Sequence, residues 1–129
     1  MIELKNVSKT YRNGVKALKN VSLFISQGEM VYLTGKSGSG KSTLLKLLYK
    51  QEKPSRGSVR VDKQNVGKLN SKDTYKLRRE IGIVFQDFKL LASKTVYENV
   101  AYALEVLETP EEEIEEKVVE ALQTVGLIH

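Results

Sequence analysis

The 129-residue sequence contains no cysteine and a single histidine. The first absence removes disulfide staples, thiol nucleophiles and Cys-based zinc sites, and makes a reducing compartment the simpler expectation. The second rules out a His-cluster metal site. Long apolar runs are missing too: none approaches the roughly 18 residues a membrane-spanning helix needs. Glu3 interrupts the N-terminus before a signal h-region could form. A soluble, cytosolic chain is expected from these absences. What is present is 40% apolar and 29% charged residues, enough to bury the core of one domain and too apolar to be disordered throughout.

Charge is unevenly spread. Residues 1–109 carry 20 basic and 10 acidic groups, whereas residues 110–129 carry 1 and 6, within an overall net charge of +5. A positive body suits a polyanionic ligand, and a nucleotide, a nucleic acid and an anionic membrane all qualify on charge alone.

The chain opens with an edge-strand candidate at residues 1–7 and a second β segment at residues 15–26, where Leu18, Val21, Leu23 and Ile25 give mostly period-two spacing. The Asn13-Gly14 turn signal predicts a hairpin between them. Residues 30–34 (Met30-Val31-Tyr32-Leu33-Thr34) read as a strand buried on both faces, followed by a glycine-rich loop and a leucine-dense helix over residues 43–50. A strand candidate at 58–62, a polar helix at 71–80 ending at Gly82, and a second buried-strand run at 81–85 come next. Two helices close the sequence. Thr95 and Glu98 have capping-box spacing, and Thr109 with Glu112 repeats it, with Pro110 predicted at the first helical position. The acidic run from Glu111 to Glu116 then falls in a first helical turn, where the helix dipole favours it.

Chemistry concentrates in Gly35-Lys36-Ser37-Gly38-Ser39-Gly40-Lys41-Ser42-Thr43, which matches G-x-x-x-x-G-K-[ST]. Glycines at this spacing let successive backbone N–H groups turn inward as an anion nest, with a helix N-terminus behind them. Lys41 can reach the β- and γ-phosphates, and the Ser42 hydroxyl can enter a magnesium coordination shell. Each hydrogen bond to a charged phosphate oxygen contributes about 1.5–3 kcal/mol net. The motif specifies a ligand class rather than a function. No Asn-Lys-x-Asp or Asp-x-x-Gly motif supports a GTPase.

Three segments at family spacing make the chain resemble an ATP-binding cassette (ABC) ATPase: Ile2 to Tyr11 as the opening strand and aromatic A-loop, the P-loop itself, and Ile81-Gly82-Ile83-Val84-Phe85-Gln86 as the Q-loop. The resemblance implies an α/β P-loop NTPase fold with an antiparallel β region over residues 1–28. A RecA-like core would span 29–87, and the start of a helical subdomain 88–129. It implies ATP and Mg2+ as ligands, Tyr11 stacking on adenine, Ser37 near the γ-phosphate, and Gln86 contacting magnesium or the attacking water. Phe85-Gln86-Asp87-Phe88-Lys89-Leu90-Leu91 and Lys94 to Val100 resemble the cell-division branch of that family, FtsE. That branch implies a polytopic membrane partner of the FtsX kind, a homodimer, and a cytoplasmic position against the inner face of the membrane. Lipoprotein-release and macrolide-export ATPases share much of this pattern, and a nucleotide-binding module without turnover is a reading from another class. No nucleic-acid partner is expected, since no aromatic-basic reader motif is present.

The sequence departs from the family in one large respect. It holds no Leu-Ser-Gly-Gly-Gln signature, no Walker B strand ending in Asp-Glu and no D-loop, and Val59-Arg60-Val61-Asp62 is no substitute. His129, the last residue, is not expected to act as a switch histidine. The resemblance therefore covers the N-terminal half of a cassette, and these residues alone are expected not to hydrolyse ATP. In the family, strands from the other half separate the P-loop and Q-loop strands, so both apolar runs are expected to face an empty slot, either as a cut piece or paired with a second copy.

Overall fold

The computed structural model describes residues 1–128; His129 lies outside the described residues. The chain divides into two compact units, residues 1–82 and 83–129.

The first unit is built on a four-stranded antiparallel sheet in the order β2-β1-β3-β4, with β1 at Ile2–Thr10, β2 at Lys16–Ile25, β3 at Arg56–Val61 and β4 at Gln64–Asn65. The hairpin expected around Asn13-Gly14 is present. It is closed by bonds from the Tyr11 amide to the Val15 carbonyl at 2.9 Å and from the Gly14 amide to the Tyr11 carbonyl at 2.9 Å.

The expected position of β1 needs correction. It is a central strand, paired to β2 on one side and β3 on the other, with Leu4 and Val7 1% and 0% exposed. Its apolar alternation reads poorly because the register shifts between Leu4 and Val7, where Asn6 adopts φ 49°. One extra residue resets the pleat, so two residues three apart both point inward. Asn20 at φ 49° stands between Leu18 and Val21 in β2 in the same way. The two irregularities are stitched by side chains: the Asn6 amide donates to Ser22 Oγ and the Asn20 amide donates to Ser8 Oγ.

Helix α1 (Lys41–Leu48) lies against this sheet and buries Leu44 and Leu47 in one core with Leu4, Val7, Leu18, Val59, Val61, Val66 and Leu77. Leu77 comes from the short helix α2 (Thr74–Arg79), which follows a 3-10 turn at Ser71–Asp73. Lys50, just past α1, is buried. Its Nζ donates to the carbonyls of Leu69 and Asn70, and burial pushes its pKa down.

Two expected strands are not formed. Residues 30–34 and 81–85 have no strand structure, Met30 and Tyr32 are each 79% exposed, and Val84 is 96% exposed. Both runs have strand composition, but a strand exists only when a neighbour takes up its N–H and C=O groups. Among the described residues no strand pairs with either run.

The second unit contains α3 (Val96–Val106) and α4 (Glu111–Thr124), packed on each other with Ala101 and Val118 buried. The capping box of α3 forms as expected: the Glu98 amide donates to Thr95 Oγ1 at 3.1 Å, and the Thr95 amide donates to Glu98 Oε2 at 2.7 Å. The bond from the Thr95 amide, with a contribution from the Thr95 side chain, holds the Glu98 carboxyl below the usual carboxylate range. Asn99 ties down the segment leading into α3, accepting from the Leu91 amide and donating to the Leu91, Lys94 and Thr95 carbonyls.

The second box does not form. Pro110 occupies the N-cap position with ψ 139° and no side-chain cap bond, so the helix begins one residue later than expected and Thr109 stands outside it. Glu111, Glu112 and Glu113 still occupy the first turn, as the dipole argument requires. No helix among the described residues is long and apolar enough to cross a membrane.

Candidate phosphate-binding site

The loop from Gly35 to Gly40 leads directly into α1, and its geometry follows from two glycines. Gly40, the N-cap, has φ 96°, and a Cβ there would meet the Ala17 carbonyl oxygen at 2.5 Å and Leu18 Cδ2 at 2.9 Å. Only a residue without a side chain lets the loop close against β2 while turning into the helix. Gly35 has φ 147°, and a Cβ there would approach Ser39 Oγ to 2.8 Å.

Helix α1 carries no side-chain cap and no acidic residue in its first turn. Its leading N–H groups and positive dipole end therefore remain available to an anion. The Lys41 ammonium donates to the carbonyls of Gly35 at 2.6 Å and Lys36 at 2.9 Å, spanning the loop. An ammonium has three donors, so one remains for a phosphate oxygen. Ser37, Ser39 and Ser42 are exposed, and the Ser39 amide bonds the Lys36 carbonyl at 3.2 Å. This donor set, with a backbone cradle that Cβ atoms would fill, fits a polyphosphate.

A magnesium ion also fits, by a specific route. No cluster of three or more His, Cys, Asp or Glu suited to a metal is present among the described residues. A dehydration-resistant ion of this kind is held by phosphate oxygens, water and one or two protein oxygens, and Ser42 supplies such an oxygen.

Tyr11, the residue after β1, is brought to this site. Its hydroxyl lies 3.1 Å from Thr43 Oγ1 on the first turn of α1, where Thr43 is buried. The hairpin turn sets the backbone of Tyr11, and α1 anchors the far end of its ring. Lys9 Nζ sits 5.0 Å from the ring centroid, paired with Glu52 Oε2 at 2.6 Å and the Lys53 carbonyl at 2.9 Å. An open cavity of about 620 Å³ adjoins these residues, lined also by Arg12, Asn13 and Gln51.

Lys9 and Glu52 are functional candidates that sequence reading missed. Lys9 was findable, since residues two apart along an extended segment share a face and Lys9 and Tyr11 are so placed. Glu52 gave no signal, because its partner lies 43 positions away.

Gln86 belongs to the second unit, where it is exposed in a turn at residues 86–87. Beside it the Lys89 ammonium bonds the Asp87 carboxylate and pulls its pKa down.

Residues 18–129 match the family described as ABC transporter. The chain is 48% identical over 129 residues to the cell division ATP-binding protein FtsE of Bacillus subtilis, covering 100% of this chain and 57% of that protein. It is 46% identical over 127 residues to the methionine import ATP-binding protein MetN of Helicobacter pylori, covering 98% of this chain and 39% of that protein. Among solved structures it is similar to a dimeric ATP-binding cassette in a post-hydrolysis state bound to ADP and Pi. That similarity has a TM-score of 0.85 at 40% identity, over 95% of this chain and 56% of the other. The chain thus spans about half the length of the division-type relative and of the solved cassette.

Proposed function

This chain belongs to the ABC transporter family, and from that premise we propose that it is the ATP-gripping part of a subunit that couples ATP binding and hydrolysis to a polytopic membrane partner. We place it in a bacterial cell-division complex, as in FtsE with an FtsX-like partner. The observation that carries the nucleotide reading is the loop bridged by Lys41 at the uncapped start of α1. Identity to an FtsE along the whole chain supports the cell-division reading.

In this proposal the loop amides and Lys41 hold the phosphates, Tyr11 carries the adenine on its ring, and Ser42 would supply an oxygen to Mg2+. When bound, such an ion would offset negative charge on the phosphates. The role on the phosphate falls to Lys41. The complete subunit acts as a pair of copies, at the inner face of the membrane through its partner. The 129 residues hold neither signature nor Walker B carboxylates, so on their own they bind ATP without turnover.

Titration of the chain with a fluorescent ATP analogue in the presence of Mg2+ tests the nucleotide reading. Lys41→Ala is expected to weaken binding about tenfold or more, as loss of one charged phosphate bond requires. An unchanged affinity would overturn the site assignment. Steady-state phosphate release is expected to stay at background, and turnover abolished by Lys41→Ala would refute the binding-only reading of these residues.

The likeness to MetN supports a second reading, methionine import. Coexpression with a division-type membrane subunit and with a methionine permease separates the two. Selective copurification with the permease would replace the cell-division reading.

A further inference from the structure

We propose that Lys9, clamped by Glu52, is the positioning residue for Tyr11: it covers one face of the ring, so that a nucleobase stacks on the opposite face only. The inference rests on the reading of Tyr11 as the base platform and goes beyond it by assigning the residues that hold the platform in place.

Lys9 is only 9% exposed. A charge so placed must be paired, and it is, by the Glu52 carboxylate at 2.6 Å and the Lys53 carbonyl at 2.9 Å. Two of its three donors are thereby committed, and its ammonium stands 5.0 Å from the Tyr11 ring centroid, within the range where the negative ring face attracts a cation. Glu52 and Lys53 lie just past the end of α1, and Thr43, which meets the Tyr11 hydroxyl at 3.1 Å, lies at its start. The ring is therefore held at its face through one end of the helix and at its hydroxyl through the other, while the Tyr11 amide is fixed by Val15. A side chain held at two points on a fixed backbone loses little freedom when a base stacks on it, which is how preorganisation strengthens binding. Lys9 does not serve here as a phosphate ligand, because it is buried and its charge is paired with the Glu52 carboxylate.

The test compares ATP with inorganic tripolyphosphate, each titrated with Mg2+ into the full chain by calorimetry. Tripolyphosphate has no base and reports the loop alone. Lys9→Met is expected to weaken ATP about threefold to tenfold while tripolyphosphate changes by less than about twofold. Lys9→Arg should restore ATP binding. In a Tyr11→Leu background, Lys9→Met should have no further effect on ATP, because coupled residues do not add. Equal losses for both ligands, or no loss for either, would overturn the proposal.

Glu52→Gln keeps the shape and the lysine while removing the ion pair, and serves if Lys9→Met unfolds the chain. It should give a smaller loss confined to ATP, and a loss shared by tripolyphosphate counts against the clamp. If Tyr11→Leu itself weakens both ligands equally or neither, the platform reading fails. If only the Lys9 and Glu52 variants lack a base-dependent effect, the positioning role alone fails.

Discussion

At the scale of single residues, the site depends on one position where the backbone cannot carry a side chain. Gly40 combines φ 96° with a Cβ position 2.5 Å from the Ala17 carbonyl oxygen, a backbone atom that cannot swing aside. Gly40→Ala is expected to cost about 2 kcal/mol or more in urea unfolding, from left-handed strain and the clash together. It should also weaken phosphate binding by lifting the loop from β2. A stability change under about 0.5 kcal/mol, the usual range for a surface change, would contradict this geometry. Much of this residue-level site was legible, because the motif spacing places loop, lysine and helix start within nine consecutive residues. The pairing of Lys9 with Glu52 was not, since their meeting depends on where α1 ends relative to β1.

At the scale of elements, the two helices of the second unit make a matched comparison. Thr95 and Glu98 exchange both bonds of a capping box, whereas Thr109 makes no cap bond because the extended Pro110 holds the N-cap position. Thr95→Ala is expected to cost about 1 kcal/mol, and Thr109→Ala less than about 0.5 kcal/mol, in chemical denaturation followed by circular dichroism. Equal effects would mean that the cap contributes nothing.

The same box sets a pH dependence. The folded pKa of Glu98 is depressed by hydrogen bonds from Thr95, so its contribution is complete above the ordinary carboxylate pKa and is lost as pH falls through the lower folded value. Amide chemical shifts of residues 95–99 followed through an acid titration should show the start of α3 fraying in that window. Glu98→Gln should move the transition out of it.

Elements that depend on local spacing formed near where they were read: the hairpin and α3 as expected, and α1 two residues earlier than expected. Those that need a distant partner did not follow from composition. Residues 30–34 are as apolar as a central strand and yet unpaired, because apolar composition favours burial without supplying a ladder.

At the scale of the whole molecule, protection should be uneven in a stated pattern. Hydrogen exchange is expected to be slowest at β1 residues such as Leu4, flanked on both sides by strands, and fast at residues 30–34 and 81–85. Slow exchange at those two runs in the chain alone would show that a second copy or a rearrangement pairs them.

The sequence by itself determined whatever is settled within a few residues: the glycine-rich loop, the capped start of α3, the hairpin turn and the acidic first turn of α4. Dihedral preferences and hydrogen bonds between residues three or four apart decide those features. Tertiary structure alone decided that β1 is central, that bulges at Asn6 and Asn20 bring residues three apart to one face, that Lys9 and Glu52 meet beside Tyr11, and that two apolar runs do not form strands. Each of these turns on which distant segment arrives beside a residue to take its hydrogen bonds or cover its surface, and no local preference encodes that.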